Sequence, residues 1–154
     1  MDVKYQEIEV KALDVIESLW EKLRKHHETR SPYFAQHFAS QTWKARKTEL
    51  FEKAKIGKLH TDLARDIDSG DIVGYCKSIV SANRKGCLES IFIESSFRNH
   101  GIGKALILKA LSWMKDEQVQ AITLEVGVGN EEVLPFYSQF GFNPRTIILQ
   151  KTTK

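Results

Sequence analysis

The segment best suited to chemistry is Arg98-Asn99-His100-Gly101-Ile102-Gly103, which lies directly before a leucine-rich run. Glycine is the poorest helix former after proline, yet Gly101 and Gly103 stand where a helix is about to begin. Lacking a Cβ, they let a ligand approach the unpaired N–H groups of the first helical turn, where the helix dipole favours negative charge. Arg98 and Lys104 add positive charge at the two edges of the loop. The pattern predicts a phosphate site, with a plain tight turn between strand and helix as the structural alternative.

Two common nucleotide-binding motifs do not fit this loop. The P-loop pattern GxxxxGK[ST] needs Ser or Thr after the lysine and a glycine five residues before the second glycine, but Ala105 follows Lys104 and Arg98 occupies the upstream position. The dinucleotide pattern GxGxxG needs a third glycine where this chain has Leu106. Both nucleotide classes are therefore disfavoured.

The loop does match R-x-x-G-x-G, and its surroundings extend the match over about residues 87–142. The run LESIFIESSFRNHGIGKALI resembles strand 4, the pyrophosphate loop and helix 3 of the GNAT superfamily of acyl-CoA-dependent N-acyltransferases. The run LEVGVGNEEVLPFYSQFGF resembles strand 5 and helix 4 of the same family, including its Asn, its Phe-Tyr pair and its closing Gly-Phe. This resemblance implies an α/β fold with a central mixed, mostly antiparallel sheet that is splayed between strands 4 and 5 and flanked by helices. It also implies attack of an amine on the thioester of acetyl-CoA.

The resemblance further implies which residues hold acetyl-CoA, the expected cosubstrate. The pyrophosphate would bind Arg98, Asn99, His100, Gly101, Ile102, Gly103 and Lys104. The pantetheine arm would bind the exposed backbone of Ile91, Phe92 and Ile93 like a neighbouring strand, which requires a bulge or splay beside this strand. Asn130 would bind the cofactor arm or cap the following helix. No metal is expected.

Glu89 is the first candidate for the base that removes the amine proton, directly or through water. By period-two alternation it would share a face with Ile91 and Ile93, and among apolar neighbours a carboxylate accepts a proton more readily. The structural alternative is a surface glutamate at a strand end. Glu125 is the nearest competitor for the role of base.

Tyr137 is the candidate general acid. It aligns with a tyrosine that lies near the CoA sulfur in many members of the family that the chain resembles. A phenol there can give its proton to the departing thiolate. The structural alternative is a packing tyrosine with a hydrogen-bonded hydroxyl.

The elements that must position these residues follow from hydrophobic periodicity and turn signals such as Asp68-Ser69-Gly70. Strands are predicted over 3–10, 58–67, 71–80, 87–94, 121–128 and 145–151, and helices over 13–23, 40–54, 102–117 and 131–139. Because Pro135 is tolerated only in a first turn, the last helix is expected to begin near Val133. Hairpin strands followed by a β-α-β unit predict a mixed sheet with helices on its faces.

Length and composition predict one domain over 1–154, soluble and cytoplasmic. No apolar run approaches about 18 residues, and the N-terminus is too charged for a secretory signal.

Cys76 and Cys87 lack CxxC spacing and are expected to be reduced, with a disulfide or metal pair as the alternative. His26-His27 lacks further ligand spacing and is expected at a solvated helix end rather than at a metal.

The sequence leaves three classes of function to distinguish. The leading hypothesis is an N-acetyltransferase acting on a primary amine of a small molecule, peptide or protein. The second is a non-catalytic acyl-CoA-binding or sensing module on the same fold, because fold does not fix function. The third, a nucleic-acid-binding domain, is disfavoured because the net charge is only +3 and 20 acidic residues are interspersed with 23 basic ones.

The partners follow from the leading hypothesis. They are acetyl-CoA and an amine, with neither nucleic acid nor a membrane expected. An edge strand near the C-terminus is consistent with a homodimer. The acceptor stays open among polyamines, aminoglycosides, amino acids, peptide N-termini and protein lysines.

Overall fold

A five-stranded sheet in the order β1-β2-β3-β4-β5 forms the centre of the computed structural model, which describes residues 2–152. The strands are β1 (Val3–Ile8), β2 (Lys58–Asp66), β3 (Ile72–Val80), β4 (Lys85–Ile93) and β5 (Ala121–Leu124). The helices are α1 (Glu17–Arg30), α2 (Ala35–Ala39), α3 (Trp43–Ile56), α4 (Ile102–Asp116) and α5 (Leu134–Ser138). All neighbouring strands pair antiparallel except β4 and β5, which are parallel. The predicted mixed α/β fold is confirmed.

The helices divide between the two faces of the sheet. On one face, α1 and α3 bury Trp20, Trp43 and Leu50 against Leu63 and Tyr75 of the sheet. On the other face, α4 buries its apolar side, and the aromatic residues of α5 pack against the same cluster. We call these the α3 face and the α4 face.

The sheet opens between β4 and β5, as predicted. Their pairing begins at Lys85 and Ala121 and ends at Leu88 and Leu124, whereas β4 continues to Ile93. The strand predicted over 121–128 therefore stops at Leu124. The second half of β4 is left without a neighbour on its β5 side, which creates a cleft next to the N-terminus of α4.

A bulge in β4 changes which side chains face which helices. Ser90 lies opposite Lys77 and Leu88 lies opposite Ser78, so Glu89 is the extra residue. Glu89 consequently contacts α3, whereas Ile91 packs in the cluster on the α4 face. The prediction that Glu89 shares a face with Ile91 and Ile93 is wrong, because the bulge interrupts the alternation.

Three further differences concern local structure. The strand predicted over 145–151 is absent, and Ile147, Ile148 and Leu149 are exposed without a strand partner. The helix predicted from residue 13 begins as a 3₁₀ helix (Val10–Ile16) before α1, and α2 was not predicted. The last helix begins at Leu134, after a 3₁₀ turn (Glu131–Val133), with Pro135 in its first turn.

Cys76 and Cys87 are free thiols, the first buried and the second half-buried. Within residues 2–152, no helix has both the length and the apolar character needed to cross a membrane.

Candidate functional site

The glycine loop and the start of α4 present a row of unpaired backbone donors. Asn99 (φ 64°) and Gly101 (φ 81°) adopt left-handed conformations, and Gly101 is the N-cap of α4. The backbone N–H groups of residues 99–104 make no hydrogen bond with any described residue. A Cβ at Gly101 would meet nothing within 4 Å, so the space above the loop is open. Free donors, open space and the helix dipole suit a pyrophosphate.

Gly103 has a different environment from Gly101. A Cβ at Gly103 would lie 3.3 Å from Cζ of Phe136. This glycine therefore also lets α4 pack closely against α5, a packing role that the sequence motif does not reveal.

The side chains of the loop differ in exposure. Arg98 donates from Nε to the Ile93 carbonyl at 2.9 Å, and its guanidinium carbon lies 5.3 Å from the centre of the Phe92 ring. His100 Nδ1 lies 2.7 Å from the Arg98 carbonyl oxygen, and Lys104 is exposed. The side chain of Ile102 is buried, so this residue can offer a ligand only its backbone.

The free side of β4 offers the peptide groups of alternate residues. The Glu94 N–H donates to the Val73 carbonyl at 2.8 Å, so the peptide groups two residues earlier, at Phe92, also point to β3. Those of Ile91 and Ile93 point into the cleft. Phe92 was predicted to bind the pantetheine arm through its backbone, but its peptide groups point to β3 and not into the cleft. Its ring lies beneath the guanidinium of Arg98.

Glu89 stands at the point where the sheet opens. Its side chain, only 10% exposed, forms an ion pair with Arg46 and lies 3.9 Å from Nζ of Lys53. Both cations belong to α3, within the helix predicted over 40–54. Glu125, the competing candidate, is exposed beyond the end of β5.

Tyr137 lies on the α4 face, opposite Glu89. Its ring meets Phe136 and Phe142 edge-on, with centroids 5.3 and 6.3 Å away. Burial, with a smaller contribution from nearby Cys76, raises the pKa of Tyr137 to about 12. Its hydroxyl makes no hydrogen bond within the described residues, so the partnered packing tyrosine considered from the sequence is not what the structure shows.

Asn130 is buried at the turn that follows β5. Its side chain does not cap the 3₁₀ turn that follows. Instead, Oδ1 lies 3.0 Å from Nε2 of His26 on α1. The helix-capping alternative is wrong, and His26, which the sequence suggested to be at a solvated helix end, makes a specific contact.

Lys77 is a member of this region that the sequence analysis missed. Its Nζ is fully buried without a hydrogen bond and lies 5.6 and 5.8 Å from the ring centres of Trp43 and Tyr75. Burial, reinforced by Arg46 and Lys53, lowers the pKa of Lys77 to about 7. Only its place in an otherwise apolar strand could have drawn attention to it.

A cleft of about 340 Å³ adjoins the free end of β4. It is lined by Lys22, Lys25, His26, Thr29, Phe92, Glu94, Ser95 and Arg98. Within residues 2–152, no three His, Cys, Asp or Glu side chains lie close enough together to hold a metal ion. The arrangement therefore combines free backbone donors before α4, a half of β4 without a neighbour on its β5 side, and two proton-transfer candidates on opposite faces of the sheet.

Comparison with known proteins agrees with this geometry. The sequence pattern of the Acetyltransferase (GNAT) family matches residues 15–142. An N-acetyltransferase of Methanocaldococcus jannaschii is 36% identical over 86 residues, which cover 52% of this chain and 38% of that protein. An N-alpha-acetyltransferase of Sulfolobus acidocaldarius is 34% identical over 85 residues, covering 47% of this chain and 51% of that protein. The matched segments thus span about half or less of these relatives.

Solved structures share the fold at low sequence identity. A tetramutant of the BH1408 protein from Bacillus halodurans superposes with a TM-score of 0.76 at 17% identity, covering 97% of this chain and 99% of that one. The aminoglycoside N-acetyltransferase AAC(6')-Iy, in complex with CoA, superposes with a TM-score of 0.71 at 15% identity, covering 99% and 96% of the two chains.

Proposed function

Because the chain belongs to the GNAT family of acetyltransferases, we propose that it transfers an acetyl group from acetyl-CoA to a primary amine. The observation that carries this proposal is the open half of β4. At one end lie the free N–H groups of residues 99–104, and at the other lies Glu89 on the α3 face, while Tyr137 belongs to the cluster on the α4 face. A phosphate-bearing thioester lying along β4 would reach both ends.

The residues divide the work as follows. Bound acetyl-CoA supplies the acetyl thioester. Glu89, on the α3 face, removes a proton from the attacking amine as the N–C bond forms, and cleft-facing N–H groups of β4 hold the carbonyl oxygen. Tyr137, on the α4 face, gives its proton to the sulfur as the C–S bond breaks. Glu89 must first release Arg46, because a carboxylate held by a guanidinium is not free to accept a proton.

The acceptor is proposed as a primary amine because two relatives are named N-acetyltransferases and one structural neighbour is named an aminoglycoside N-acetyltransferase. One relative is named an N-alpha-acetyltransferase, and AAC(6')-Iy is also known in complex with a bisubstrate analogue, CoA-S-monomethyl-acetylneamine. The test is an assay with acetyl-CoA and a panel of polyamines, aminoglycosides, amino acids, peptides and lysine-containing proteins, following release of free thiol. Thiol release with at least one amine, and acetylation of that amine by mass spectrometry, are expected. Binding of acetyl-CoA without turnover of any amine would contradict catalysis.

Binding of acetyl-CoA without turnover would support the second candidate function, a non-catalytic acyl-CoA-binding module. The ion pair between Glu89 and Arg46 is the observation that favours it, since the candidate base already has a partner. Isothermal titration with acetyl-CoA separates this module from a protein that does not bind the thioester.

We also propose that two copies of the chain associate through their C-terminal segments. The outer edge of β5 has no strand partner among the described residues, and Ile147, Ile148 and Leu149, which follow α5, are exposed. Each copy thus carries both an unpaired strand edge and an unpaired apolar segment, and a two-fold pair could satisfy both at once.

A further inference from the structure

The contact between His26 and Asn130 joins two segments that are 104 residues apart in sequence. His26 lies in the third turn of α1, and Asn130 lies in the turn between β5 and α5. Nε2 of the imidazole and Oδ1 of the amide are 3.0 Å apart, a normal hydrogen-bond length. Asn130 is 8% exposed and His26 is half-buried, so this contact is partly shielded from bulk water.

The backbone of the Asn130 turn is held by other contacts. A Cβ at Gly129 (φ 102°) would clash with the Arg30 carbonyl oxygen, so the turn and the end of α1 meet backbone to backbone. The guanidinium of Arg30 pairs with Glu132 at 3.1 Å. These contacts flank Asn130 on both sides. They fix where the turn lies, and they leave the rotation of the Asn130 amide to be fixed by His26.

The hydrogen bond determines what Asn130 can offer to a ligand. An amide has one oxygen acceptor and an NH₂ group with two donors. When Oδ1 accepts from His26, the NH₂ group is the part that remains. Nδ2 of Asn130 makes no hydrogen bond within residues 2–152, and it is not fully buried. It can therefore reach a ligand.

We propose that His26 is a positioning residue for the cosubstrate. It donates from Nε2 to Oδ1 of Asn130 and thereby turns Nδ2 toward a carbonyl oxygen of the pantetheine arm. This inference rests on the proposed function, because it takes acetyl-CoA to lie in the cleft beside β4. It assigns a histidine of α1, outside the glycine loop and the strands, to recognition of the amide-containing half of CoA.

The experiment compares CoA with a ligand that keeps its adenosine, its 3'-phosphate and the first phosphate of its pyrophosphate but lacks the pantetheine arm. Isothermal titration measures the Kd of CoA and of adenosine 3',5'-bisphosphate for the wild type, His26→Ala, His26→Gln, Asn130→Ala and the double alanine variant. His26→Ala should weaken CoA by about tenfold, the effect of one oriented hydrogen bond. The Kd of the bisphosphate should change by less than about twofold. His26→Gln, which keeps an N–H donor, should restore most of the loss, and the double variant should be no weaker than Asn130→Ala alone.

Matched variants separate positioning from a general effect on the fold. His27→Ala removes the neighbouring imidazole, which packs against the Phe38 ring with centroids 5.4 Å apart, and should leave both Kd values unchanged. The inference would be overturned if His26→Ala weakened the binding of both ligands equally, or if it left the Kd of CoA unchanged. Additive losses in the double variant would also overturn it. A wild type that binds neither ligand would instead refute the proposed function.

Discussion

The carboxylate of Glu89 and the guanidinium of Arg46 form an ion pair on the α3 face, at the point where β4 and β5 separate. Arg46 also pairs with Glu49 at 3.0 Å, and Lys53 pairs with Glu49 at 3.2 Å and lies 3.9 Å from Glu89. Two carboxylates therefore share two cations, but only Glu89 belongs to the open strand. Glu49 is thus a matched control for the loss of one negative charge from this cluster.

Glu89→Gln should lower kcat/KM at neutral pH by about 10²–10⁴-fold, the usual contribution of a general base. Part of the loss should be recovered at alkaline pH, where the free amine is abundant. Glu49→Gln should stay within about threefold of the wild type. The measurement is a pH–rate profile of all three proteins by thiol release. An unchanged acidic limb in Glu89→Gln would assign the base elsewhere, with Glu125 or a water chain next to test.

Tyr137→Phe removes one oxygen with almost no change in volume, so the fold and the Kd of acetyl-CoA should be retained. If the hydroxyl protonates the thiolate, kcat should fall by about 10²–10⁴-fold. The raised pKa of about 12 keeps the phenol protonated, so Tyr137 should add no alkaline limb to the wild-type profile below about pH 11. Tyr33→Phe, at an exposed tyrosine, is the control. A change of kcat below about threefold, with chemistry shown to be rate-limiting, would leave Tyr137 as a packing residue.

The parts of the fold predicted from sequence are those that local patterns specify. The glycines before α4 and the Asp68-Ser69-Gly70 turn before β3 each depend on a few neighbouring residues, and α4 and β3 lie within one residue of their predicted bounds. The 145–151 segment shows the limit of such patterns. Its β-branched residues favour a strand, but a strand needs a partner edge, which a local pattern does not supply.

The errors at the site have the same origin. The face of Glu89 depends on one extra residue in β4, which appears only in the register with β3. The partners of Asn130 and Glu89 come from α1 and α3, distant in sequence, so no local spacing indicates them. Lys77 is buried because Trp43 and Tyr75 enclose it, and that enclosure is a property of the assembled fold.

Lys77→Met should stabilise the protein, because it replaces a buried amine without a hydrogen bond by an apolar side chain of similar length. An unsatisfied buried polar group costs about 1–3 kcal/mol, and each kcal/mol shifts the Tm of a chain of this size by about 2–4 °C. The gain should depend on pH. In the folded state the pKa of Lys77 is about 7, below its ordinary value of 10.5 in the unfolded chain. Between these two pH values the unfolded chain therefore binds more protons than the folded chain. Wild-type stability should therefore rise with pH above about 7, and below that the penalty should be constant.

The measurement for Lys77 is urea unfolding of the wild type and Lys77→Met between pH 6 and about 10, with Lys55→Met as the control at an exposed lysine. The difference between Lys77→Met and the wild type should be largest near and below neutral pH and should shrink as the pH rises. A variant less stable than the wild type at pH 6, or a difference that does not change with pH, would contradict the burial of an unpaired ammonium.

The exposed apolar residues 147–149 are expected to hold two chains together. Ile147, Ile148 and Leu149 are 77%, 77% and 91% exposed, and an exposed apolar segment favours pairing with a second chain. Light scattering after size-exclusion chromatography should give twice the mass of one chain for the wild type. The double change Ile147→Lys and Leu149→Lys should weaken the dimer by at least about tenfold in Kd, because two charges would have to enter the paired segment. Ile56→Lys, at an apolar residue 78% exposed at the end of α3, should leave the dimer intact. A monomeric wild type at all accessible concentrations, or equal dissociation in both variants, would refute pairing through the C-terminal segment.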